Sequence, residues 1–200
     1  MRKYLICFIT TFIFYQGFTQ EKILIDNITI VGNNITKEAI ILRELTFKKG
    51  EVLSQKQIEE KIKQSKENLT NLSLFNFVDI KSVARNTKAD IIIDVVERWY
   101  IWPYPILELS ERNFNVWWGE FKESKYSDFS RLNYGVYLVW ENFRGKNQLL
   151  KIKYRKGFKE HYLFRYEIPY FNKEKTIGIS AFAQKFRRKK SFYNTIDNKL

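Results

Sequence analysis

Cysteine and histidine are all but missing from this 200-residue chain: there is one of each, Cys7 and His161. Cys7 lies in an apolar leader, so the rest of the chain holds no disulfide framework, no thiolate metal site and no thiol nucleophile. A single His leaves too few imidazoles for a histidine-based metal site, and His161, inside an alternating strand, reads as a polar-face residue rather than the base of a triad. There is no Gly-x-Ser-x-Gly elbow, and Glu108, Glu111, Glu141 and Glu167 stand as isolated carboxylates. Neither an enzyme nor a bound metal or cofactor is expected. Acidic residues are in deficit, 22 Asp and Glu against 35 Lys and Arg, for a formal net charge of +13. That balance suits nucleic acid or an anionic membrane surface, or simply lysines scattered over a surface. The densest basic run is Arg187-Arg188-Lys189-Lys190.

The chain opens on Met1-Arg2-Lys3, an apolar stretch from Tyr4 to Phe18, and the small residues Gly17 and Thr19. This is the layout of a secretory signal peptide over residues 1–20, short of the ~20 apolar residues that an uncleaved helical anchor requires. Cys7 follows the bulky Ile6 and does not read as a lipoprotein cysteine. Export argues against nucleic acid as the partner behind the positive charge.

Residues 21–98 read as one compact unit. Ile23, Ile25, Ile28, Ile30 and Val31 predict a strand that ends at Gly32-Asn33-Asn34. Thr36 is placed to cap a helix running to Leu45, with Ile40, Ile41 and Leu45 as its buried stripe. After a turn at Lys49-Gly50, Ser54 and Gln57 form a capping box opening a second helix, with Ile58, Ile62, Leu69 and Leu72 on one face. Strands follow over Phe75–Val83 and Asp90–Glu97, separated by a turn at 85–88. The order is β-α-α-β-β, two helices on a three-stranded sheet.

Strand–Gly32-Asn33–Thr36–helix, Gly50-Glu51, Asn68-Leu69-x-x-Leu72-x-Leu74-Phe75-x-x-Val78 and Val95-x-Glu97-Arg98 together resemble a POTRA domain. Such domains are the periplasmic polypeptide-transport-associated modules of BamA-like outer-membrane assembly proteins. Trp99-Tyr100-Ile101-Trp102-Pro103-Tyr104-Pro105 then reads as an aromatic and proline junction at a membrane interface, or as a rigid linker.

From 106 on, the period changes to two. Ile106–Asn115 leads into Val116-Trp117-Trp118, read as a first strand, and residues 120–130 read as a polar loop. Leu132, Tyr134, Val136, Leu138 and Trp140 then alternate with polar or small residues. Leu150, Ile152 and Tyr154 do so after the break at Asn142–Lys146, and Tyr162, Phe164, Tyr166, Ile168 and Tyr170 after that at Lys156–Glu160. A fifth strand is expected over 176–186. Alternation of this kind fits both a soluble antiparallel sheet and a transmembrane barrel wall with lipid on its apolar side. The leader, the POTRA resemblance and the aromatic junction favour the wall.

Glu111-Arg112-Asn113-Phe114 and Asn142-Phe143-Arg144-Gly145 also resemble the start of BamA/TamA-type barrels. The expected fold class is therefore an α+β POTRA domain followed, over 106–200, by about five antiparallel transmembrane strands of an incomplete barrel. That barrel has sixteen strands by resemblance, and five cannot close without leaving backbone groups unsatisfied in lipid. The 200 residues are expected to be the N-terminal part of a longer protein, whether by frameshift, incomplete sequence or as a natural short form. The resemblance implies residence in the bacterial outer membrane with the POTRA domain in the periplasm, and a role in inserting β-barrel proteins or translocating polypeptides. The implied partners are outer-membrane lipid, unfolded outer-membrane or secreted polypeptide clients, and periplasmic accessory lipoproteins. Phe75, Phe77, Val78, Ile80 and Val83 mark the candidate edge strand for β-augmentation by a client. The alternative is a soluble periplasmic POTRA-type peptide-binding module. Charged substitutions at Val136 or Leu138 are expected to harm membrane integration more than the same changes at Asn133 or Gly135.

Overall fold

A computed structural model describes residues 22–110, 113–172 and 174–188. The expected signal peptide, Glu111, Arg112, Lys189 and Lys190 lie outside them. The elements in chain order are β1 (Lys22–Val31), α1 (Glu38–Leu42), β2 (Val52–Ser54), α2 (Gln55–Asn71), β3 (Phe75–Arg85) and β4 (Lys88–Glu97). They continue with β5 (Ile101–Leu109), α3 (Phe114–Glu123), β6 (Leu132–Phe143), β7 (Gln148–Gly157), β8 (Lys159–Ile168) and β9 (Ile179–Arg188). The chain divides into two compact units. One takes in residues up to Gly32 with Glu44–Leu72 and Phe77–Val95; the other takes in Asn33–Arg43, Ser73–Asn76 and the chain from Val96 on.

In the first unit the sheet order is β2-β1-β4-β3, with β1 parallel to β4 and antiparallel to β2. The strict alternation of β4 buries Ala89, Ile91, Ile93 and Val95. Each of these larger side chains contributes roughly 1.5–3 kcal/mol by leaving water. The capping box forms as the sequence predicts: Ser54 Oγ accepts from the Gln57 N–H, and Gln57 Oε1 accepts from the Ser54 N–H at 2.9 Å. Along α2, Ile58, Ser65 and Leu69 are buried, and the Ser65 hydroxyl accepts from the Thr46 N–H at 2.9 Å. Gly32 has φ +89°, and a Cβ there would lie 1.9 Å from the Val95 carbonyl oxygen, so no other residue fits the end of β1.

Two differences from the sequence expectation concern short elements. The three-stranded sheet gains a fourth member, β2, whose three residues pair with Lys22–Leu24 of β1. The first helix is a five-residue turn capped by Lys37 without a side-chain bond, and it stops before Leu45. Thr36 does not cap it, because its hydroxyl is engaged elsewhere.

The second unit is built on a five-stranded antiparallel meander, β5-β6-β7-β8-β9. Its first strand is Ile101–Leu109, not the segment around Val116–Trp118, which lies in α3. Phe114, Trp117, Trp118 and Phe121 recur at the 3, 4 and 7 spacing of one helical face, and Asn113 caps the helix by accepting from the Val116 N–H at 2.9 Å. The expected loop at 120–130 therefore begins inside this helix. The strand also takes over most of the aromatic and proline junction. Pro103 and Pro105 are tolerated because β5 is the end strand of the sheet, where a missing N–H need not break a ladder.

Candidate functional site: an apolar sheet face and a strand edge

Residues directly opposite each other in an antiparallel pair project to the same face. The register therefore sorts the second sheet row by row. One row reads Pro105, Val136, Tyr154, Tyr162 and Lys185; the next reads Pro103, Leu138, Ile152, Phe164 and Ala183; a third reads Ile101, Trp140, Leu150, Tyr166 and Ala181. Leu132 with Leu109, Tyr134 with Leu107, and Ile168 with Ile179 complete the same face. All twelve residues read from the sequence as lipid-facing thus lie together. The central row carries no aromatic but Phe164, while tyrosines cluster in the rows nearer α3, and Trp140 and Tyr166 in the row at the other end. Phe143 joins that end after a register shift, meeting Trp140 edge-on at 4.9 Å and Tyr166 at 6.1 Å.

The opposite face carries most of the charge, with Lys156 and Lys185 on the apolar one. Lys151, Lys153 and Arg155 of β7 stand beside Arg165, Glu167 and His161 of β8. Three of the four lone carboxylates are ion-paired: Glu108 with Arg155 at 3.3 Å, Glu141 with Arg98 at 2.5 Å and Glu167 with Arg165 at 3.3 Å. Glu111 is outside the described residues. Aromatics share this face, with Tyr104 stacked on Tyr137 and Lys153 over the Tyr137 ring.

Two positions expected to tolerate charge do not belong to an open polar surface. Asn133 is 1% exposed, accepts from the Lys159 N–H at 2.7 Å and donates its amide to Ser110 Oγ. A Cβ at Gly135 would come within 1.9 Å of the Tyr154 carbonyl oxygen. A side chain at Gly135 crowds the β6–β7 pair whatever its charge, and a substitution at Asn133 disturbs buried hydrogen bonds.

In the other sheet β3 is an end strand of eleven residues, against three for β2 at the opposite end. Of the candidate client-contact residues, Phe75, Val78 and Ile80 are buried, leaving Phe77 at 73% and Val83 at 42% exposure as the side chains on offer. Asp79 pairs with Lys66 at 3.1 Å and Lys81 at 3.3 Å; the Lys66 hydrogen bond first, then that of Lys81, holds its carboxyl below the ordinary range. Charges of this kind also guard a free edge against indiscriminate pairing.

A polar network in the second unit escaped the sequence reading. The Glu97 carboxylate accepts from the N–H groups of Ile35 and Thr36 at 2.9 and 2.6 Å. The Thr36 hydroxyl accepts from the Asn142 amide at 2.8 Å and lies 3.2 Å from the Tyr100 hydroxyl, which donates to the Leu74 carbonyl at 2.8 Å. Burial raises the Tyr100 phenol above its ordinary value, opposed by the Thr36 hydrogen bond. The only early signal was the Asn142–Gly145 turn, whose Gly145 carbonyl accepts from the Lys37 N–H at 2.9 Å.

Among the described residues no group of acidic, His or Cys side chains could hold a metal ion, and no helix is long and apolar enough to cross a membrane. Residues 23–98 match the POTRA family, described as a surface antigen variable number repeat. No curated protein sequence matches the chain. Its structure is similar to that of BamA from Haemophilus ducreyi lacking POTRA domains 1-3, with 19% identity and a TM-score of 0.53 over 81% of this chain and 27% of that one. It is also similar to CdiB from Acinetobacter baumannii, with 15% identity and a TM-score of 0.41 over 84% of this chain and 29% of that one. The chain thus spans between a quarter and a third of the length of either protein. It holds a POTRA-like α/β region, matched by that family over residues 23–98, followed by a five-stranded antiparallel sheet similar in fold to strands of BamA.

Proposed function

We propose that this chain is an outer-membrane protein that assists the insertion of β-barrel proteins or the translocation of polypeptides, with its POTRA domain in the periplasm. The observation that carries the reading is the second sheet: five registered strands share a face that is apolar across its middle rows, with Lys156 and Lys185 only towards one end and its aromatics mostly towards the two ends, the distribution that lipid selects. On this reading the face lies against lipid, and the charged face lines a watery lumen. The turns at 144–147 and 169–178 are periplasmic, and the 110–131 segment and the Gly157 turn face outward. The edge of β3 receives an extended client by main-chain hydrogen bonding, with Phe77 and Val83 as its side-chain contacts. The partners are outer-membrane lipid, unfolded outer-membrane or secreted polypeptides, and periplasmic accessory lipoproteins.

Two measurements test the reading. Carbonate extraction of membranes should leave the chain in the pellet, and release into the soluble fraction would favour a soluble peptide-binding module. A photocrosslinker at Phe77 should capture unfolded barrel precursors in preference to folded periplasmic proteins. Equal capture by a crosslinker on the exposed face of α2, at Lys63, would refute client pairing at the β3 edge.

A further inference from the structure

The apolar face ends at the Ile101–Trp140 pair, and cations begin at that point. A cavity of about 400 Å³ opens there, lined among others by Lys37, Arg98, Trp99, Trp140, Asn142 and Arg144. Arg98 is already engaged by the Glu141 carboxylate and the Ser73 carbonyl oxygen. Lys37 and Arg144 make no ion pair among the described residues; the nearby Glu97 carboxylate is taken up by the Ile35 and Thr36 N–H groups, so the cavity presents two cations without a direct partner. Its wall is fixed. Tyr100 and Asn142 are buried and hydrogen-bonded, and the Lys37 N–H donates to the Gly145 carbonyl. A Cβ at Gly145, whose φ is +70°, would lie 2.0 Å from the Ile35 carbonyl oxygen. The turn bearing Arg144 is thereby locked against the segment bearing Lys37.

We propose that this cavity holds the headgroup of an anionic phospholipid from the leaflet on the POTRA side. Its phosphate lies between Lys37 and Arg144, and its acyl chains run along Ile101, Trp140 and Leu150. The inference rests on the apolar face lying against lipid. Its chemistry is the meeting of two things a neutral ligand would not need: unpaired cations at the mouth, and indole and aliphatic surface continuing directly from them.

The test uses the full chain reconstituted in phosphatidylcholine vesicles with a trace of spin-labelled phosphatidylglycerol or spin-labelled phosphatidylcholine. The motionally restricted fraction of each label measures preference. The wild-type chain should prefer phosphatidylglycerol, by about fivefold for each cation that the headgroup meets. Lys37→Gln/Arg144→Gln should abolish most of that preference and leave the restricted phosphatidylcholine fraction unchanged, while Lys37→Arg/Arg144→Lys should keep it. Equal restriction of the two lipids by wild type, or a preference that survives the Gln double variant, overturns the proposal. Excess inorganic phosphate, matched for ionic strength with chloride, should leave the preference intact; its loss would mean a bare anion site and overturn the lipid assignment. No restricted component with either lipid would refute the membrane reading itself, an outcome distinct from lipid contact without headgroup preference.

Discussion

Placing an arginine at different heights on the apolar face gives the sharpest test of the second sheet. Leu138 and Ile152 occupy the central row, directly opposite each other. Leu132 is six residues from Leu138 along β6, roughly 20 Å at about 3.4 Å per residue, or about 14 Å along the membrane normal for a strand tilted near 45°. The apolar band of such barrels is about 25 Å tall, so a central Arg sits near its midplane and one at Leu132 near its border. Leu138→Arg and Ile152→Arg should each cost about 2–4 kcal/mol, and Leu132→Arg about 0–1 kcal/mol. The central variants should therefore shift the folding equilibrium into vesicles by roughly 30- to 800-fold, and the border variant by less than about tenfold. Urea titration of folding into phosphatidylcholine vesicles measures these differences. Lys151→Glu, next to Arg165 on the charged face, is the proper control in place of Asn133 or Gly135, and should change folding little. If Leu132→Arg costs as much as Leu138→Arg, or Lys151→Glu as much as either, the face is not in contact with a bilayer.

Three further outcomes follow from single contacts. Ser54→Ala removes the acceptor for the Gln57 N–H and should cost about 1 kcal/mol, read as about fivefold faster hydrogen exchange in the first turn of α2. Gly135→Ala drives a Cβ into the Tyr154 carbonyl and should destabilise the sheet by about 1–3 kcal/mol in the same urea titration, despite adding only a methyl group. The Tyr100 phenol is held above its ordinary value of 10.0 by burial, so the folded state binds that proton more tightly than the unfolded state. Its contribution is complete below that pH and is lost as pH rises through the raised folded value. The stability difference between wild type and Tyr100→Phe should therefore be flat from neutral pH to about 9.5 and shrink above about 10; a difference independent of pH up to about 11 would show that the phenol is not buried as described.

Elements specified by their own residues could be read directly. The Ser54–Gln57 box and the alternation of β4 each contain the whole cause of the structure that they form. Elements specified by a partner could not. The three residues of β2 have no pattern of their own and become a strand only opposite Lys22–Leu24. Thr36 looks like a helix cap until Asn142, more than a hundred residues on, claims its hydroxyl. Val116-Trp117-Trp118 has the composition of a strand, and the decision falls to the 114/117/118/121 spacing and the Asn113 cap. The candidate edge at β3 was legible as a strand, but which of its side chains remain exposed depended on packing: Val78 and Ile80 turn inward and Phe77 outward.

The period-two pattern could separate two faces but could not say which one would bend inward in a closed wall, and the glycines favour the charged one. Gly135 is opposite Arg155, and Gly157 is opposite Asn133, so both glycines belong to the charged face and neighbour one another across β6 and β7. At each, a Cβ would strike the facing strand's carbonyl oxygen at 1.9 Å. Glycines placed this way relieve crowding where a sheet coils, and crowding is greatest on the concave side. The large residues Tyr134, Val136, Tyr154 and Tyr162 occupy the other face. On the proposed membrane reading, the glycines let the face rich in lysine, arginine and glutamate close around water while the face rich in aromatic and aliphatic residues turns outward.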